Sequence, residues 1–557
     1  MRRSHVEICS KTIRMATEER TDIAKGAAAG TVAWRIGLCL SGGGYRAAAF
    51  HLGALDLLQR AGLLSNVRVL STISGGTFTG CAWALSLARG ETFQMFYQRL
   101  HGFLEGTDCI SSALDELSRR PATTPSGRRS LITAAAQVYA RPEFMGDARF
   151  GTLLSANTQL EQFSFNATEF HTGVGFRFQK SRTGLAPIGN GNFSLTEGAA
   201  AQLRLADIVA ASSCFPAGFE PIALPDDFVW PDGARPPAPL GNLPPGLALM
   251  DGGVFDNQGI DALLLADARA RHAGEPLDLL FVSDVDQKSE LAFFQFEREA
   301  AKGWLALPEI LWFVRLTVLG ALVSAVLLAR DLRGANFSDV GVWFRLVLPM
   351  LVMLVVASAP VILYLWIRKK IRGRFSAKAE KLWHYLRRQK VSQAVELVEL
   401  RGKSLVAMAS KIFMKRIRSL QLAQLFADPR FRDRTVTSFI YELLQVAEAG
   451  PHLDYPDWLL PTNAQVACAR TAHQVDTALW FDSSGELLSL VASGQSTTCF
   501  NLLEFVERRL EQTPDDAVLV GLRARLRSLW ERLKADPYRF ASESSRPVNV
   551  VGSKPPA

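Results

Sequence analysis

The chain lacks the residue spacings that metal and redox chemistry require. Its seven cysteines stand far apart along the chain, at Cys9, Cys39, Cys81, Cys109, Cys214, Cys468 and Cys499. Neither a C-x-x-C pair nor an H-E-x-x-H spacing occurs, whereas zinc sites and reactive dithiols normally show such patterns. We therefore expect no metal and no other cofactor. Scattered cysteines in odd number are also typical of a reducing compartment.

A secretory signal and a nucleotide cradle are missing as well. Residues 1–33 form a polar lead whose early basic residues are followed by no apolar stretch, so we expect no cleaved signal. The glycine-rich SGGGYRAAAFHLG, residues 41–53, has neither G-K-[ST] after it nor the G-x-G-x-x-G spacing. Backbone N–H groups in such a turn can instead stabilise a developing oxyanion.

The mean hydropathy of +0.09 is high for a soluble enzyme of 557 residues and indicates a surplus of apolar residues. Much of the surplus lies in residues 304–370. Residues 346–367 carry no charge and are long enough to cross about 30 Å of hydrocarbon. Residues 310–329 are similar but include Arg315. We predict an inserted transmembrane helical hairpin; the alternative is a helical hairpin buried in a soluble core.

Basic residues indicate the orientation of this hairpin. RKKIRGR, residues 368–374, follows the second span with five basic side chains in seven positions. The positive-inside rule then predicts an integral membrane protein whose large flanking regions are both cytoplasmic. The net charge of +8 suits an anionic leaflet, although a solvated basic flank is the alternative. We expect the lipid bilayer as a partner and no nucleic acid.

The order of apolar runs and glycine turns indicates an α/β fold. Residues 34–40 are a short apolar run that ends in glycines, and residues 47–61 have helical spacing. The same arrangement returns in residues 67–73 and 78–88. A strand, a glycine turn and a helix repeated in this way predict a mainly parallel central sheet covered by helices.

Chemically useful residues follow three of the predicted strands. The glycine turn contains Gly42, Gly43 and Gly44, the stretch LSTISGGTFTG places Ser74 before two glycines, and MDGGVFDNQGI begins with Met250 and Asp251. Each motif alone is usually a simple turn. Together they place a nucleophile, a general base and an oxyanion site at strand ends, and partial burial would raise the pKa of the aspartate.

The first motif resembles the glycine-rich oxyanion motif of the patatin-like phospholipases, G-G-G-x-[RK]-G. Gly42, Gly43, Gly44 and Arg46 match this pattern, while Ala47 replaces its last glycine. The resemblance implies an oxyanion hole formed by Gly42, Gly43, Gly44 and, from the second motif, the Gly75 amide. It leaves two roles for Arg46: holding the loop, or meeting a lipid phosphate.

The other two motifs extend the resemblance. Ser74 and Gly76 match the G-x-S-x-G elbow, with Thr72 replacing its first glycine, and Asp251 matches the D-G-[GA] aspartate. The family works with a Ser–Asp dyad, which implies Ser74 as the nucleophile and Asp251 as its base. His51 is the alternative base, although a histidine satisfied by packing is the simpler interpretation.

The resemblance implies a patatin-like three-layer α/β fold, and the apolar runs add an inserted transmembrane hairpin that lies outside the usual pattern of the family. The expected order is a polar lead (1–33), a hydrolase core (34–300), the hairpin insertion (304–370), a C-terminal helical or αβ part packed on the core (375–540) and a flexible tail (541–557). The hydrolase region would lie on the cytoplasmic side of the membrane.

The resemblance implies a membrane-tethered serine lipid acyl hydrolase, of phospholipase A or lysophospholipase type, whose substrate partner is a membrane phospholipid. An acyltransferase or transacylase could use the same dyad with an alcohol in place of water. A catalytically silent membrane scaffold is the third hypothesis, and the Thr72 and Ala47 departures from the motifs keep it open.

Overall fold

The computed structural model describes residues 34–119, 126–286, 307–333, 340–362, 391–450 and 455–546, apart from residues 183, 185, 217, 232–235, 237, 356, 360 and 361. The predicted lead, 1–33, lies outside the described residues. The chain divides into two compact units, one of residues 1–290 with 409–557 and one of residues 291–408.

The larger unit contains a ten-stranded sheet in the order β10-β9-β1-β2-β3-β4-β5-β6, with β8 paired to β3 and β7 paired to β8. The strands are β1 (Ile36–Leu40), β2 (Val67–Ile73), β3 (Gln162–Glu169), β4 (Val174–Lys180), β5 (Ile188–Gly189), β6 (Ser194–Leu195), β7 (Ile222–Leu224), β8 (Leu247–Asp251), β9 (Leu279–Asp284) and β10 (Thr435–Phe439).

The central part of this sheet is parallel, as the strand–turn–helix pattern predicts. β10, β9, β1, β2 and β3 pair in parallel, and the remaining pairs are antiparallel. Leu40 lies in register with Thr72 and with Ser283. The carboxyl ends of three strands therefore meet at one edge of the sheet, where open α/β folds place their ligand sites.

Besides the helical segment Val340–Ala359, which is treated below, the described residues form eighteen α-helices. They are α1 (Gly44–Arg60), α2 (Gly75–Ala88), α3 (Phe93–Gly106), α4 (Cys109–Arg119), α5 (Leu131–Tyr139), α6 (Phe150–Ser155), α7 (Glu197–Ala201), α8 (Leu205–Ser213), α9 (Ile260–His272), α10 (Leu307–Leu332), α11 (Val391–Ala407), α12 (Met414–Ala427), α13 (Pro429–Arg432), α14 (Glu442–Ala449), α15 (Asn463–Gln474), α16 (Ser484–Gln512), α17 (Ala517–Ala535) and α18 (Arg539–Ser545).

Both faces of the parallel sheet are buried, which gives the three layers expected of the fold. Leu38 and Leu40 belong to one apolar cluster, whereas Cys39 between them belongs to a second cluster on the other face. The alternation follows from the two-residue period of a strand. The second cluster includes Leu263 of α9 and Leu425 of α12. A parallel sheet of apolar strands needs such cover on each side.

The C-terminal region packs closely on the first helix. A Cβ atom on Gly53 of α1 would lie 2.1 Å from the carbonyl oxygen of Val491, and one on Gly494 would lie 2.1 Å from that of Phe50. Two glycines thus allow the backbones of α1 and α16 to touch. β10 adds a further strand from this region to the sheet.

Part of the predicted flexible tail is helical. Residues 541–545 belong to α18, in which the Phe540 and Ala541 side chains are fully buried. The Ser544 hydroxyl donates to Asp56 Oδ1 at 3.0 Å. These long-range contacts hold the segment in place, although its polar composition predicted no contacts with the rest of the chain. Residues 547–557 lie outside the described residues.

The second unit contains the predicted hairpin region. Two helices there, Trp312–Asp331 and Val340–Ala359, are long and apolar enough to cross a membrane. In the most apolar stretch of 18 residues in each helix, only 11% and 6% of the residues are buried. The second begins before the predicted residue 346, because Val340–Val342 and a π-helical turn at Trp343–Val347 extend it toward the connector. Residues 363–367 of the predicted span lie outside the described residues.

Candidate active site

Ser74 lies on a strained turn between β2 and α2. Its backbone angles are φ 49° and ψ −116°, and it is the only non-glycine residue with positive φ in the described part of the chain. Such a conformation costs free energy and persists only where surrounding contacts enforce it. A Cβ on Gly76 would lie 2.3 Å from the Leu40 carbonyl oxygen, so glycine is required immediately after the turn.

A chain of hydroxyl groups holds this turn from behind. Thr72 Oγ1 and Thr77 Oγ1 are 3.0 Å apart, and Thr77 Oγ1 lies 2.8 Å from Ser212 Oγ. Ser212 donates to the Asn166 carbonyl oxygen at 2.7 Å and accepts from the Ser74 amide at 3.0 Å. If each hydroxyl donates to the next, from Thr72 to Thr77 to Ser212, every donor in the chain has an acceptor.

The structure gives a physical reason for Thr72 at a position where the resemblance leads us to expect glycine. A Cβ on Gly80 of α2 would lie 2.4 Å from Thr72 Cγ2. The absence of a side chain at position 80 therefore makes room for the threonine methyl group. The glycine that provides the space thus lies in the facing helix and not in the strand, and the turn remains tight.

Ala47 is accommodated in a similar way. A Cβ on Gly75 would lie 2.9 Å from Ala47 Cβ, and one on Gly43 would lie 3.2 Å from it. Both neighbours are glycines, so the methyl group of Ala47 fits between the two turns. Neither departure from the family motifs disrupts the backbone of the site.

Asp251 reaches the nucleophile through the pairing of neighbouring strands. Ile73 is in register with Asn166 in β3, and Ala167 is in register with Asp251 in β8. The Gly253 amide donates to the Asp251 carboxylate at 2.7 Å, and the Ser74 side chain lies close enough to the same carboxylate to lower its pKa. The structure thus brings together the two residues that the sequence motifs placed about 180 positions apart.

Burial changes the acidity of this carboxyl group. Desolvation raises the pKa of Asp251 from 3.8 to about 6, and the hydrogen bonds from Ser74 and Gly253 limit the rise. A carboxylate with a pKa near neutrality is a better proton acceptor than an ordinary aspartate and is still mostly ionised at pH 7.

Three amides are available for an oxyanion at the ends of the two turns. The N–H groups of Gly43, Gly44 and Gly75 make no hydrogen bond to another described residue. They stand at the N-termini of α1 and α2, which favour negative charge. Gly43 and Gly44 have φ of 146° and 59°, which side-chain-bearing residues rarely adopt.

Gly42 has a different position from the one expected of it. Its amide donates to the Asn257 carbonyl oxygen at 3.0 Å, so this N–H is not available to an oxyanion. A Cβ at this position would lie 3.2 Å from Ser74 Cβ. The glycine therefore serves the close approach of the loop to the nucleophile, and we correct its assignment as an oxyanion donor.

Arg46 supports the loop. Its guanidinium is 4% exposed and donates to the carbonyl oxygens of Val475 and Val285, each at 3.1 Å. Both acceptors belong to segments that lie over the glycine turn. Of the two roles that the sequence left open for this residue, the structure shows loop support.

His51 is a buried neutral side chain. Its Nδ1 lies 2.9 Å from Ser283 Oγ, and its Nε2 lies 3.0 Å from the Ser41 carbonyl oxygen. The carbonyl can only accept, so Nε2 carries the proton and Nδ1 accepts from the Ser283 hydroxyl. Burial lowers the pKa of His51 to about 3. Both ring nitrogens are therefore occupied away from the Ser74 hydroxyl.

Sequence reasoning missed three residues that hold the site. Asn257 lies in the MDGGVFDNQGI motif, but nothing in the sequence around Asn257 or Ser212 indicated a role for either residue. No motif or spacing in the sequence indicated a role for Arg418 of α12. Its Nη2 group lies 3.3 Å from the Gly42 carbonyl oxygen. Only the folded chain brings a residue 376 positions away to this loop.

Metal-binding clusters are not found in the described residues. No group of three or more His, Cys, Asp or Glu side chains there could hold a metal ion. The six described cysteines are all buried and reduced.

A family model matches the part of the chain that contains the candidate site. Residues 38–264 match the model of the patatin-like phospholipases, and this range contains Ser74, Asp251 and the glycine turn. The match thus identifies residues 38–264 as a patatin-like phospholipase domain. No curated protein matches the chain significantly.

Two solved structures are similar at low identity. A human group IVD cytosolic phospholipase A2 is 15% identical with a TM-score of 0.28, and the match covers 45% of this chain and 43% of the human one. VipD from Legionella pneumophila is 12% identical with a TM-score of 0.22, over 91% of this chain and 92% of that one. This chain thus spans less than half of the human protein.

Proposed function

We propose that the protein is a membrane-tethered serine lipid acyl hydrolase of phospholipase A or lysophospholipase type. The observation that carries this proposal is the Ser74 side chain on its strained turn, which strand register places beside the buried Asp251 carboxylate. The family match supports the lipid substrate class. Free amides at the ends of two helices support the oxyanion hole.

Each residue then has one role in the reaction. Asp251 accepts the Ser74 proton while Ser74 Oγ attacks the ester carbonyl, and the negative charge develops on the carbonyl oxygen. The amides of Gly43, Gly44 and Gly75 stabilise this oxygen. Collapse releases the alcohol part of the lipid, which takes the proton from Asp251. Water then attacks the acyl-enzyme by the same route and frees a fatty acid.

The two apolar helices would keep the enzyme at its substrate. In Trp312–Asp331, large side chains such as Phe313 and Val326 are 70% and 67% exposed. Exposed apolar side chains on a long helix suit a lipid environment. Tethering raises the effective concentration of a membrane lipid without added binding energy. With the basic RKKIRGR segment on the inside, the hydrolase would face the cytoplasm.

The direct test measures fatty acid released from mixed phospholipid vesicles by the reconstituted full chain. We expect release by wild type, loss in Ser74→Ala, and retention in Ser86→Ala. Ser86 is a matched control because it lies in α2, the helix that follows Ser74, and its hydroxyl donates to Glu91 at 2.8 Å. Equal release by wild type and Ser74→Ala would remove Ser74 from the chemistry. No release by wild type from any head-group class would contradict lipid hydrolysis.

Two additions to the assay test the finer parts of the proposal. Glycerol in the reaction should not divert the acyl group, and acylated glycerol as the main product would indicate a transferase instead. The chain should remain in the membrane pellet after alkaline carbonate washing. A single cysteine placed in the connector between the two helices should react with an impermeant thiol reagent added outside intact cells; protection there would contradict the proposed sidedness.

A further inference from the structure

Arg418 is a buried arginine outside the region that the family model matches. It lies in α12 and is 8% exposed. Its Nη1 group bonds Asp286 Oδ1 at 2.7 Å, and its Nη2 group lies 3.3 Å from Asp284 Oδ1 and 3.3 Å from the Gly42 carbonyl oxygen. One guanidinium thus joins two acidic side chains to the glycine turn.

Asn257 completes this connection on the other side of Gly42. With its side-chain amide oriented so that the oxygen faces the guanidinium, Asn257 accepts from Arg418 Nη2 at 2.7 Å and from Nε at 3.0 Å. The Asn257 carbonyl oxygen accepts from the Gly42 amide at 3.0 Å. Arg418 and Asn257 therefore fix both the C=O and the N–H of Gly42.

The geometry of the peptide group carries this contact into the site. The Gly42 carbonyl and the Gly43 N–H belong to one planar peptide, and in a trans peptide they point in opposite directions. A donor that holds the carbonyl therefore holds the N–H on the opposite side. The positive charge of a guanidinium beside the carbonyl oxygen also polarises the peptide and makes its N–H a stronger donor.

We propose that Arg418 is a positioning residue that orients and polarises the Gly42–Gly43 peptide, so that the Gly43 N–H donates to the oxyanion of the transition state. The inference rests on the proposed ester hydrolysis. It makes Arg418, in the segment after the apolar hairpin, part of the machinery, although Arg418 lies more than 150 residues beyond the family match, which ends at residue 264.

Gly43 is intrinsically flexible, so its amide needs contacts from other residues to keep one orientation. Gly43 has φ of 146°, and a Cβ there would lie 2.6 Å from Val285 Cγ2. Glycine reaches several conformations at little cost, so the orientation of its amide depends on outside contacts. Tyr45, one residue beyond Gly44, is fixed by a hydrogen bond from its amide to the Ala478 carbonyl oxygen at 2.8 Å.

The main variant is Arg418→Lys in the full chain. Lysine keeps the positive charge near Asp286 but cannot bond several acceptors in one plane. The control is Arg434→Lys: Arg434 bonds buried Asp267 at 3.0 and 2.7 Å and has 16% side-chain exposure, against 10% for Arg418. It is an equivalent arginine–carboxylate pair remote from the glycine turn.

Three quantities are measured: kcat and KM on a soluble ester, and the affinity of a trifluoromethyl ketone, whose hemiketal adduct with Ser74 Oγ places an oxygen anion in the oxyanion hole. We expect Arg418→Lys to lower kcat by about ten- to a hundredfold, below the full loss of one oxyanion donor. Ketone affinity should fall in parallel while KM changes little. Arg434→Lys should lower the melting temperature without changing kcat.

Wild-type kcat and ketone affinity in a folded Arg418→Lys protein would overturn the inference. A parallel fall in kcat for Arg434→Lys would also overturn it, because it would show a general loss of stability. If Arg418→Lys does not fold, Asp286→Asn replaces it: a smaller decrease in kcat and ketone affinity supports the inference, and unchanged values overturn it. The hydrolase proposal fails separately, when Ser74→Ala retains activity.

Discussion

The turns after β1 and β2 have the same order of strand, glycine turn and helix, yet they are held in different ways. The turn at Ser74 is fixed by neutral hydroxyl groups, chiefly Ser212 and Thr77, which lie within the family match. The glycine turn is fixed by two arginines, Arg46 and Arg418, and by a carbonyl from the C-terminal region.

The difference follows from what each turn must do. A nucleophile needs one strained residue held rigidly, and short hydrogen bonds from hydroxyls can provide this without placing another charge beside Asp251. An oxyanion loop needs N–H groups aimed outward, and a cation behind the peptide strengthens them. The same local motif therefore depends on different tertiary support, and each kind of support can be removed on its own.

Asp251→Asn should have the largest effect on the nucleophile turn. Asparagine keeps the size of the side chain but cannot accept the Ser74 proton, so we expect kcat to fall by about a thousandfold or more. Hydrolysis of a soluble ester measures the change. Asp261→Asn is the control, because Asp261 has 42% side-chain exposure and pairs with Arg177 on the surface. Activity near wild type in Asp251→Asn would mean that another group is the base.

Ser212→Ala should have the next largest effect. The change leaves the Ser74 amide, the Thr77 hydroxyl and the Asn166 carbonyl without their shared partner, at a cost of about 1–3 kcal/mol. We expect a lower melting temperature and about a tenfold lower kcat, if about half of that cost falls on the transition state. Ser213→Ala is the matched control, because Ser213 Oγ bonds Val209 within its own helix at 2.7 Å. Equal effects of the two substitutions would show that the hydroxyl chain does not position Ser74.

The pH dependence of wild type separates Asp251 from His51. Only the ionised carboxylate accepts a proton, so kcat/KM should fall about tenfold per pH unit below the Asp251 pKa of about 6. His51, with a pKa of about 3, titrates below that range. Because the folded pKa of Asp251 lies above 3.8, its contribution to stability is present at low pH and is lost as pH rises through about 6. A flat profile of kcat/KM between pH 5 and 7 would contradict Asp251 as the base.

Thr72→Val should have the smallest effect. Valine keeps the methyl group that lies against Gly80 and removes only the hydroxyl at the far end of the chain, where Thr77 still donates to Ser212. We expect a cost of about 1 kcal/mol in unfolding free energy and little change in kcat. Denaturant unfolding and ester hydrolysis measure these values. A decrease in kcat as large as that of Ser212→Ala would assign Thr72 a direct part in positioning the nucleophile.

Much of the fold follows from patterns of near neighbours. The strand predicted over residues 67–73 coincides with β2. Partial alternation with a glycine break in residues 162–179 predicts a hairpin, and β3 and β4 form one, because these patterns act locally. The Pro-, Ser-, Thr- and Arg-rich composition of residues 120–150 predicts a mobile loop or lid. Within them, α5 is buried, since its alanines and Val138 pack into the core and outweigh the polar residues around them.

The sequence alone determined the order of the three motifs, the alternation that makes a parallel sheet, and the two apolar helices, since these depend on residue types within a few positions of one another. Tertiary structure decided the positive φ of Ser74, the approach of its side chain to Asp251, the occupation of the Gly42 amide and the approach of Arg418. Each of these is set by strand register or by packing between segments hundreds of residues apart, and such contacts leave no local pattern.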